Sequence, residues 1–354
     1  MPPAISAVAR ALPPHYADQE ALITAFRSLW AAEHYNVDRL EDLHRAVQVG
    51  GRHLARPIED YAKLVSFADR NNAWTDAATE IGARVVKDAL ARAGLAPKDV
   101  DHIFFVTVTG IATPSIDARL VDLLAFRSDI KRTPIFGLGC VAGAAGIARA
   151  SDYLRAFPDQ VAVLLSVELC SLTLQRSDLS VANIIASGLF GDGAAAVVLT
   201  GAMKEANRAR GPRVVASRSI FYSDTHRMMG WDVVDGGFKV VLSSKVPKLV
   251  VENVGGDVDR FLGSQGLARK DIRHFVAHTG GPKVLSAFEE ALGLDPNALA
   301  RSRKSLRETG NLSSASVLFV LEDLLASGEA KPGDRGIVMA MGPGFCAELV
   351  LLEW

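Results

Sequence analysis

The 354-residue chain holds only three cysteines, Cys140, Cys170 and Cys346, an odd number, far apart and without a Cys-x-x-Cys pair. That argues against a disulfide framework or a structural zinc site and fits a reducing compartment. Net charge is almost absent too, since 39 Lys and Arg face 40 Asp and Glu for a balance of -1. No global basic field exists to attract nucleic acid or an anionic membrane, so an anionic ligand must be met locally. Nowhere do about 18 apolar residues run uninterrupted, and the N-terminal "MPPAISAVARALPPHYADQE" is broken by Pro and Arg before a long apolar core accumulates. The expectation is a cytoplasmic protein with no stable membrane insertion. Low-complexity tracts and repeat arrays of about 20 to 50 residues are missing as well.

Hydrophobic residues make up 49% and charged residues 22%, the balance of a globular chain long enough for two domains or one large layered unit. After a polar, helix-rich N-terminal segment, strand and helix signals alternate, the pattern of an α/β protein. "DHIFFVTVTG" (101–110) reads as a buried strand and "SIDARLVDLLAF" (115–126) as a helix with Ile116, Leu120 and Leu123 on one face. "GIARASDYLRAF" continues as a helix, and "QVAVLLSVEL" (160–169) returns as a strand. The polar, basic "TGAMKEANRARGPR" (200–213) is the expected connection between two halves, 1–205 and 206–354. Each half closes on one plan, a Gly-rich turn running into an apolar strand: "LFGDGAAAVVLT" (189–200) and "MGPGFCAELVLLEW" (341–354). Each also carries an earlier loop that leads into a small-residue helix, "GLGCVAGAAGIARA" and "TGNLSSASVLFVLEDLL" (309–325). A duplicated α/β unit is the expected architecture.

"PIFGLGCVAGAAG" (134–146) supports two chemistries. Gly137, Gly139 and Ala142 satisfy G-x-G-x-x-G/A, a cradle for a dinucleotide pyrophosphate, and Glu168 lies where a ribose-binding acid is wanted. Against this, the strand "KRTPIFG" has a proline and few apolar positions, unlike a central parallel strand. Alternatively Cys140 is a nucleophile, its thiolate favoured by the N–H groups and dipole of a helix start. Inert packing of a cysteine in an Ala/Gly helix also fits the segment alone. In "DIRHFVAHTGGPKVLSAFEEALGL" (271–294), His278 ends a short strand beside a Gly-Gly turn, a place where catalytic groups gather. Asn311, at a helix start in "ETGNLSSASVLFVLEDLL", reads either as an N-cap or as a hydrogen-bond donor to a developing oxyanion.

The ordered set of Cys140 in "GLGCVAGAAGIARA", "LFGDGAAAVVL", His278 in "HTGGPKVL", Asn311 in "GNLSSASVLFVLE" and "GPGF" (342–345) resembles the type III polyketide synthases. These are the chalcone synthase-like branch of the thiolase-fold condensing enzymes. The resemblance, from roughly residue 60 to the C-terminus, implies a homodimer of five-layered αβαβα subunits, the Cys on the first half and the His and Asn on the second. It implies that Cys140 takes the acyl group of an acyl-CoA, and that His278 and Asn311 stabilise the enolate left when malonyl-CoA loses CO2. His278 would also pair with the Cys140 thiolate. No metal or redox cofactor is expected.

Phe190 matches the family's aromatic gatekeeper and Phe238 its partner, while Cys170 and Thr173 in "VELCSLTLQ" fall where relatives line the cavity. Thr113 stands where many plant relatives place a methionine that crosses the dimer interface, and the usual Gly-Phe-Gly-Pro-Gly loop is here Ala340, Met341, Gly342, Pro343 and Gly344. Arg45, Arg52 and Lys283 are the candidates for holding CoA phosphates. "MMGWDVVDGGF" (228–238) resembles bacterial members that make alkylpyrones or alkylresorcinols. Competing expectations are a single-round ketoacyl synthase that uses an acyl carrier protein, a Cys-His-Asn thioester hydrolase, and a non-catalytic acyl-CoA-binding protein.

Overall fold

The computed structural model describes residues 2–30, 37–204 and 211–354, so His34 and the centre of the expected 200–213 connection lie outside the described residues. The chain forms β1 (Ala4–Ala11), β2 (His15–Asp18), α1 (Gln19–Trp30), α2 (Val37–Ala46), β3 (Gly51–Leu54), α3 (Phe67–Ala93), β4 (His102–Thr107) and α4 (Ile116–Leu123). It continues through β5 (Lys131–Phe136), α5 (Ala142–Ala156), β6 (Val161–Leu169), α6 (Val181–Leu189), β7 (Asp192–Thr200), β8 (Arg213–Phe221), β9 (Met229–Val234) and β10 (Gly237–Leu242). Then follow α7 (Val246–Gly263), β11 (His274–Ala277), α8 (Pro282–Leu292), α9 (Ala300–Thr309), α10 (Ser316–Ser327), β12 (Arg335–Gly342) and β13 (Cys346–Glu353).

The first half orders its strands β5-β4-β6-β7-β1 and the second β11-β12-β13-β8, and the two runs meet where β1 touches β8 at the single pair Ala4 and Arg213. Pairing repeats between the halves. β4 is parallel to β6, which is antiparallel to β7, which is antiparallel to β1. Likewise β11 is parallel to β12, which is antiparallel to β13, which is antiparallel to β8.

Strand periodicity of two then divides the core into layers. Ala162 and Leu164 of β6 face inward, with Val338 and Ala340 of β12, onto the central helices α5 and α10. Their neighbours Val163 and Leu165 face the opposite way, onto α3 and α4, while Ile337 and Met339 face α7 and α8. The result is α3/α4, first sheet, α5/α10, second sheet and α7/α8, the five layers expected.

One local reading is corrected and another, that "KRTPIFG" is no central strand, holds. The N-terminal segment is not simply polar and helical: β1 lies in the middle of the combined sheet between β7 and β8, and α2 buries His44 completely. "KRTPIFG" does form a strand, β5, but at the sheet edge with mostly exposed or half-buried residues, where a proline is tolerated.

The small residues of α5 are explained by its neighbours. A Cβ on Gly143 would lie 2.2 Å from the Ser314 carbonyl oxygen and 2.8 Å from Val317 Cγ1, so α5 and the start of α10 are as close as backbones allow. Gly143→Ala should cost about 1 to 3 kcal/mol by overpacking, read from the denaturant midpoint; a midpoint equal to wild type would contradict this account of the helix pair.

Candidate active site

Cys140 sits in a single 3-10 turn, Gly139–Val141, that runs directly into α5, so its thiol lies at a helix N-terminus. Gly139 has φ +55, and a Cβ there would come within 2.7 Å of Pro343 Cδ. Only glycine admits the chain on that side of the nucleophile. The equivalent turn of the other half, Ser313–Ala315, leads into α10, and the Cys140 thiol lies 3.6 Å from Ser313 Oγ. Two pseudo-equivalent helix starts thus face each other.

Asn311 precedes the second turn. Its backbone N–H donates to Leu189 O at 2.9 Å, and its carbonyl accepts from Gly191 N at 3.0 Å, a clamp that brackets Phe190. Its Oδ1 accepts the Ser313 N–H at 2.8 Å. This is a turn within the loop and not a helix N-cap, since Leu312 and Ala315 hold the N-cap positions of the turn and of α10; with the acceptor spent on the turn, the amide group also reaches Cys140. His278 follows β11 at once, and its backbone N–H donates to Met339 O at 2.9 Å, prolonging the parallel pairing with β12. Its Nδ1 is buried without a partner.

Cys140, His278, Asn311 and Ser313 all line one cavity of about 470 Å3, together with Met341 and Pro343 of the departing loop. A second chamber of about 380 Å3, the inner chamber, adjoins it, walled by Leu22, Phe26, Leu54, Ile58 and Leu174 among others and open where Leu29 and Ile58 are exposed. Phe190, Cys170, Trp231 and Val240 line both, so Phe190 stands between the two. Thr173 lines the inner chamber.

Other expected residues go elsewhere. Phe238 lines neither cavity but packs against Phe67, with ring centroids 5.4 Å apart; Trp231 holds the boundary instead. Thr113, in an exposed Thr113-Pro114 turn, also lines neither. Gly342 is held by close approach, its Cβ position 2.5 Å from Leu138 O, and Gly344 takes φ +78 in the same loop. Of the basic residues, Lys283 is exposed at the start of α8 and lines the outer cavity. Arg45 is exposed and paired with Glu20 and Glu41. Arg52 is corrected: it is 1% exposed and borders the inner chamber, so it cannot meet a phosphate at the mouth.

The dinucleotide reading also fails on Glu168. That carboxylate is buried, accepting from Val108 N at 3.0 Å, Thr109 Oγ1 at 2.9 Å and the Ser314 hydroxyl, so it ties the end of β4 to the turn before α10 and offers nothing to a ribose. Sequence reasoning missed Ser313 and Trp231. Ser313 stood two residues beyond Asn311, in a left-handed conformation (φ +48) that no pattern announces; Trp231 was visible only as an aromatic in "MMGWDVV".

Electrostatically, the enclosure disfavours isolated charges. Burial pushes the Cys140 thiol up to about 12, opposed by the Ser313 hydrogen bond. Burial alone takes the His278 imidazole down to about 4. Desolvation is the largest cause of both shifts, and neither group is shifted by the other.

The family models for the chalcone and stilbene synthases match the chain twice, the N-terminal domain over residues 2–203 and the C-terminal domain over 213–353. The 1,3,6,8-tetrahydroxynaphthalene synthase of Streptomyces peucetius subsp. caesius is 47% identical over 350 residues, 99% of this chain and 93% of that protein. A putative chalcone synthase of Bacillus subtilis is 36% identical, covering 99% and 98% of the two chains. Among solved structures, the 1,3,6,8-tetrahydroxynaphthalene synthase of Streptomyces coelicolor, a bacterial type III polyketide synthase, superposes with a TM-score of 0.93 at 32% identity over 99% of each chain.

If His278 pairs with the Cys140 thiolate as the resemblance implies, replacing it by Ala moves the pH profile of Cys140 alkylation by iodoacetamide upward by about one pH unit or more; an unchanged profile would contradict that pairing.

Proposed function

The chain belongs to the chalcone and stilbene synthase family and is a type III polyketide synthase, a malonyl-CoA-dependent acyltransferase; from that premise we propose the roles of its site residues and its starter. The Cys140 thiolate attacks the carbonyl of a starter acyl-CoA, the bond to CoA sulfur breaks, and CoA leaves with a proton from His278. Malonyl-CoA then loses CO2, the electron pair of the broken C–C bond passing into the thioester as an enolate. His278 and the Asn311 amide donate hydrogen bonds to that oxygen where charge develops, which replaces the need for a strong base. The carbanion attacks the acyl-Cys140 carbonyl and expels the thiolate, leaving a chain two carbons longer on CoA. Thioester and CO2 chemistry suffice for this sequence, and no metal or redox cofactor enters it.

The starter reading rests on one observation, the apolar inner chamber that adjoins the Cys140 cavity across Phe190 and Cys170. Its walls suit the alkyl part of a fatty acyl-CoA, with an alkylpyrone or alkylresorcinol as product. A second reading has its own support: the relative at 47% identity is a tetrahydroxynaphthalene synthase, which favours malonyl-CoA as the only substrate. CoA phosphates suit the groove beside the outer cavity, lined by Lys248 and Lys283. A homodimer suits the open edge of β5, where Phe136 is 53% exposed and Leu123, close by in the chain, is 56% exposed. No helix among the described residues is long and apolar enough to cross a membrane, and we place the enzyme in the cytoplasm.

Incubation with malonyl-CoA alone and with a series of acyl-CoAs, read by mass spectrometry, separates the two starters. The acyl reading expects products whose mass follows the starter, and expects Ala25→Trp, which fills the inner chamber, to lose long starters and keep short ones. Tetrahydroxynaphthalene from malonyl-CoA alone, with no consumption of long acyl-CoAs, would overturn it.

A further inference from the structure

We propose that Arg52 recognises the growing poly-β-keto chain, donating hydrogen bonds from its guanidinium to carbonyl or enolate oxygens where the chain extends from Cys140 past Cys170 into the inner chamber. The proposal rests on the synthase reading above and adds to it a residue that senses how far the chain has grown.

Arg52 lies on β3, and its side chain is turned inward, with a residue exposure of 1%. Both terminal nitrogens, Nη1 and Nη2, are buried without a hydrogen-bond partner. A buried charge in that state is costly unless something meets it. The groups around it do not supply the missing acceptors. Asp192 contributes charge, but its Oδ1 accepts the Ser171 N–H, and its Oδ2 accepts the Ala55 N–H and the Ser171 hydroxyl. Tyr61 is committed to Ser171. His44 is turned to Ile184 O and Ser187 Oγ, and is held neutral by burial and by the Arg52 charge itself. Cys170 is a buried thiol with its ionisation pushed far up by burial. Burial lowers Arg52 only to about 10, so the guanidinium stays charged at neutral pH.

Arg52 is one of the residues that line the inner chamber, with Nη1 and Nη2 just beneath its surface. Arg176, the other cation of that lining, spends its donors on the carbonyls of Tyr61 and Ala62, which leaves Arg52 as the source of unused donors there. Cys170 marks the path, since it lines both cavities and lies near Cys140 on one side and Arg52 on the other. A ligand suited to apolar walls with one unpartnered guanidinium is mostly hydrocarbon and carries oxygens at intervals. A poly-β-keto chain has that chemistry; an alkyl chain alone offers no acceptor, and a nucleotide phosphate is too polar for these walls.

The test uses Arg52→Met with an acyl-CoA and malonyl-CoA. Acylation of Cys140 and CO2 release should stay at wild-type levels, while the ratio of longest to truncated products falls by about tenfold or more, the loss expected of a charge-assisted hydrogen bond. Arg52→Lys should restore part of the ratio. An unchanged ratio in a folded Arg52→Met variant would overturn the proposal. Should that variant unfold by circular dichroism, the pair Arg52→Met with Asp192→Asn removes both buried charges and is read the same way; unfolding of both assigns Arg52 to the fold alone and overturns it too. Absence of acylation and CO2 release in the wild type would instead remove the synthase roles themselves, and this proposal with them.

Discussion

The approach of α5 to α10 is the constraint on which the site depends. At Gly143 the two helix starts are separated by less than a methyl group allows, with the Ser314 carbonyl 2.2 Å from where a Cβ would be. That closeness brings Cys140 and Ser313, from corresponding turns of the two halves, to 3.6 Å. It also places Asn311 beside the thiol, while the β11 to β12 pairing delivers His278 to the same cavity. Duplication thus has a chemical consequence: the nucleophile and its donors come from different halves and meet only because the central layer is packed at backbone distance.

Enclosure is the second constraint. Desolvation works against both the Cys140 thiolate and the His278 imidazolium. The same logic distinguishes the two buried carboxylates. Glu168 and Asp192 are both raised by burial, and both are surrounded by backbone and hydroxyl donors. They hold turns together. Arg52 has no such partners for Nη1 and Nη2, and it lies on the wall of the second chamber.

Much of this was legible in the chain. Apolar runs such as "QVAVLLSVEL" forecast strands buried on both faces because a sheet covered by helices on each side has no polar face to show. The repeated closing strands signalled the duplication, and Cys140, His278 and Asn311 could be picked out because each stands at the end of an element, where side chains face a cavity. The failures have physical causes. β1 is interrupted by Ser6 and Arg10, yet it is central because α3 covers one face and α10 of the other half covers the other. Arg52 looked like a phosphate ligand from its type alone; only burial separates it from Lys283. Phe238 and Trp231 lie seven residues apart on paired strands, and which ring reaches the boundary depends on the register of β9 against β10, in which Phe238 opposes Val233 and Trp231 opposes Val240.

The most direct test of the central claim, that Cys140 carries the acyl chain, is intact-protein mass spectrometry after brief mixing with an acyl-CoA, followed by mapping of the modified peptide. The account predicts an adduct equal to the acyl group, located on Cys140 and absent from Cys140→Ala. An adduct on Cys170 or Cys346 in its place, or polyketide formed by Cys140→Ala, would contradict it.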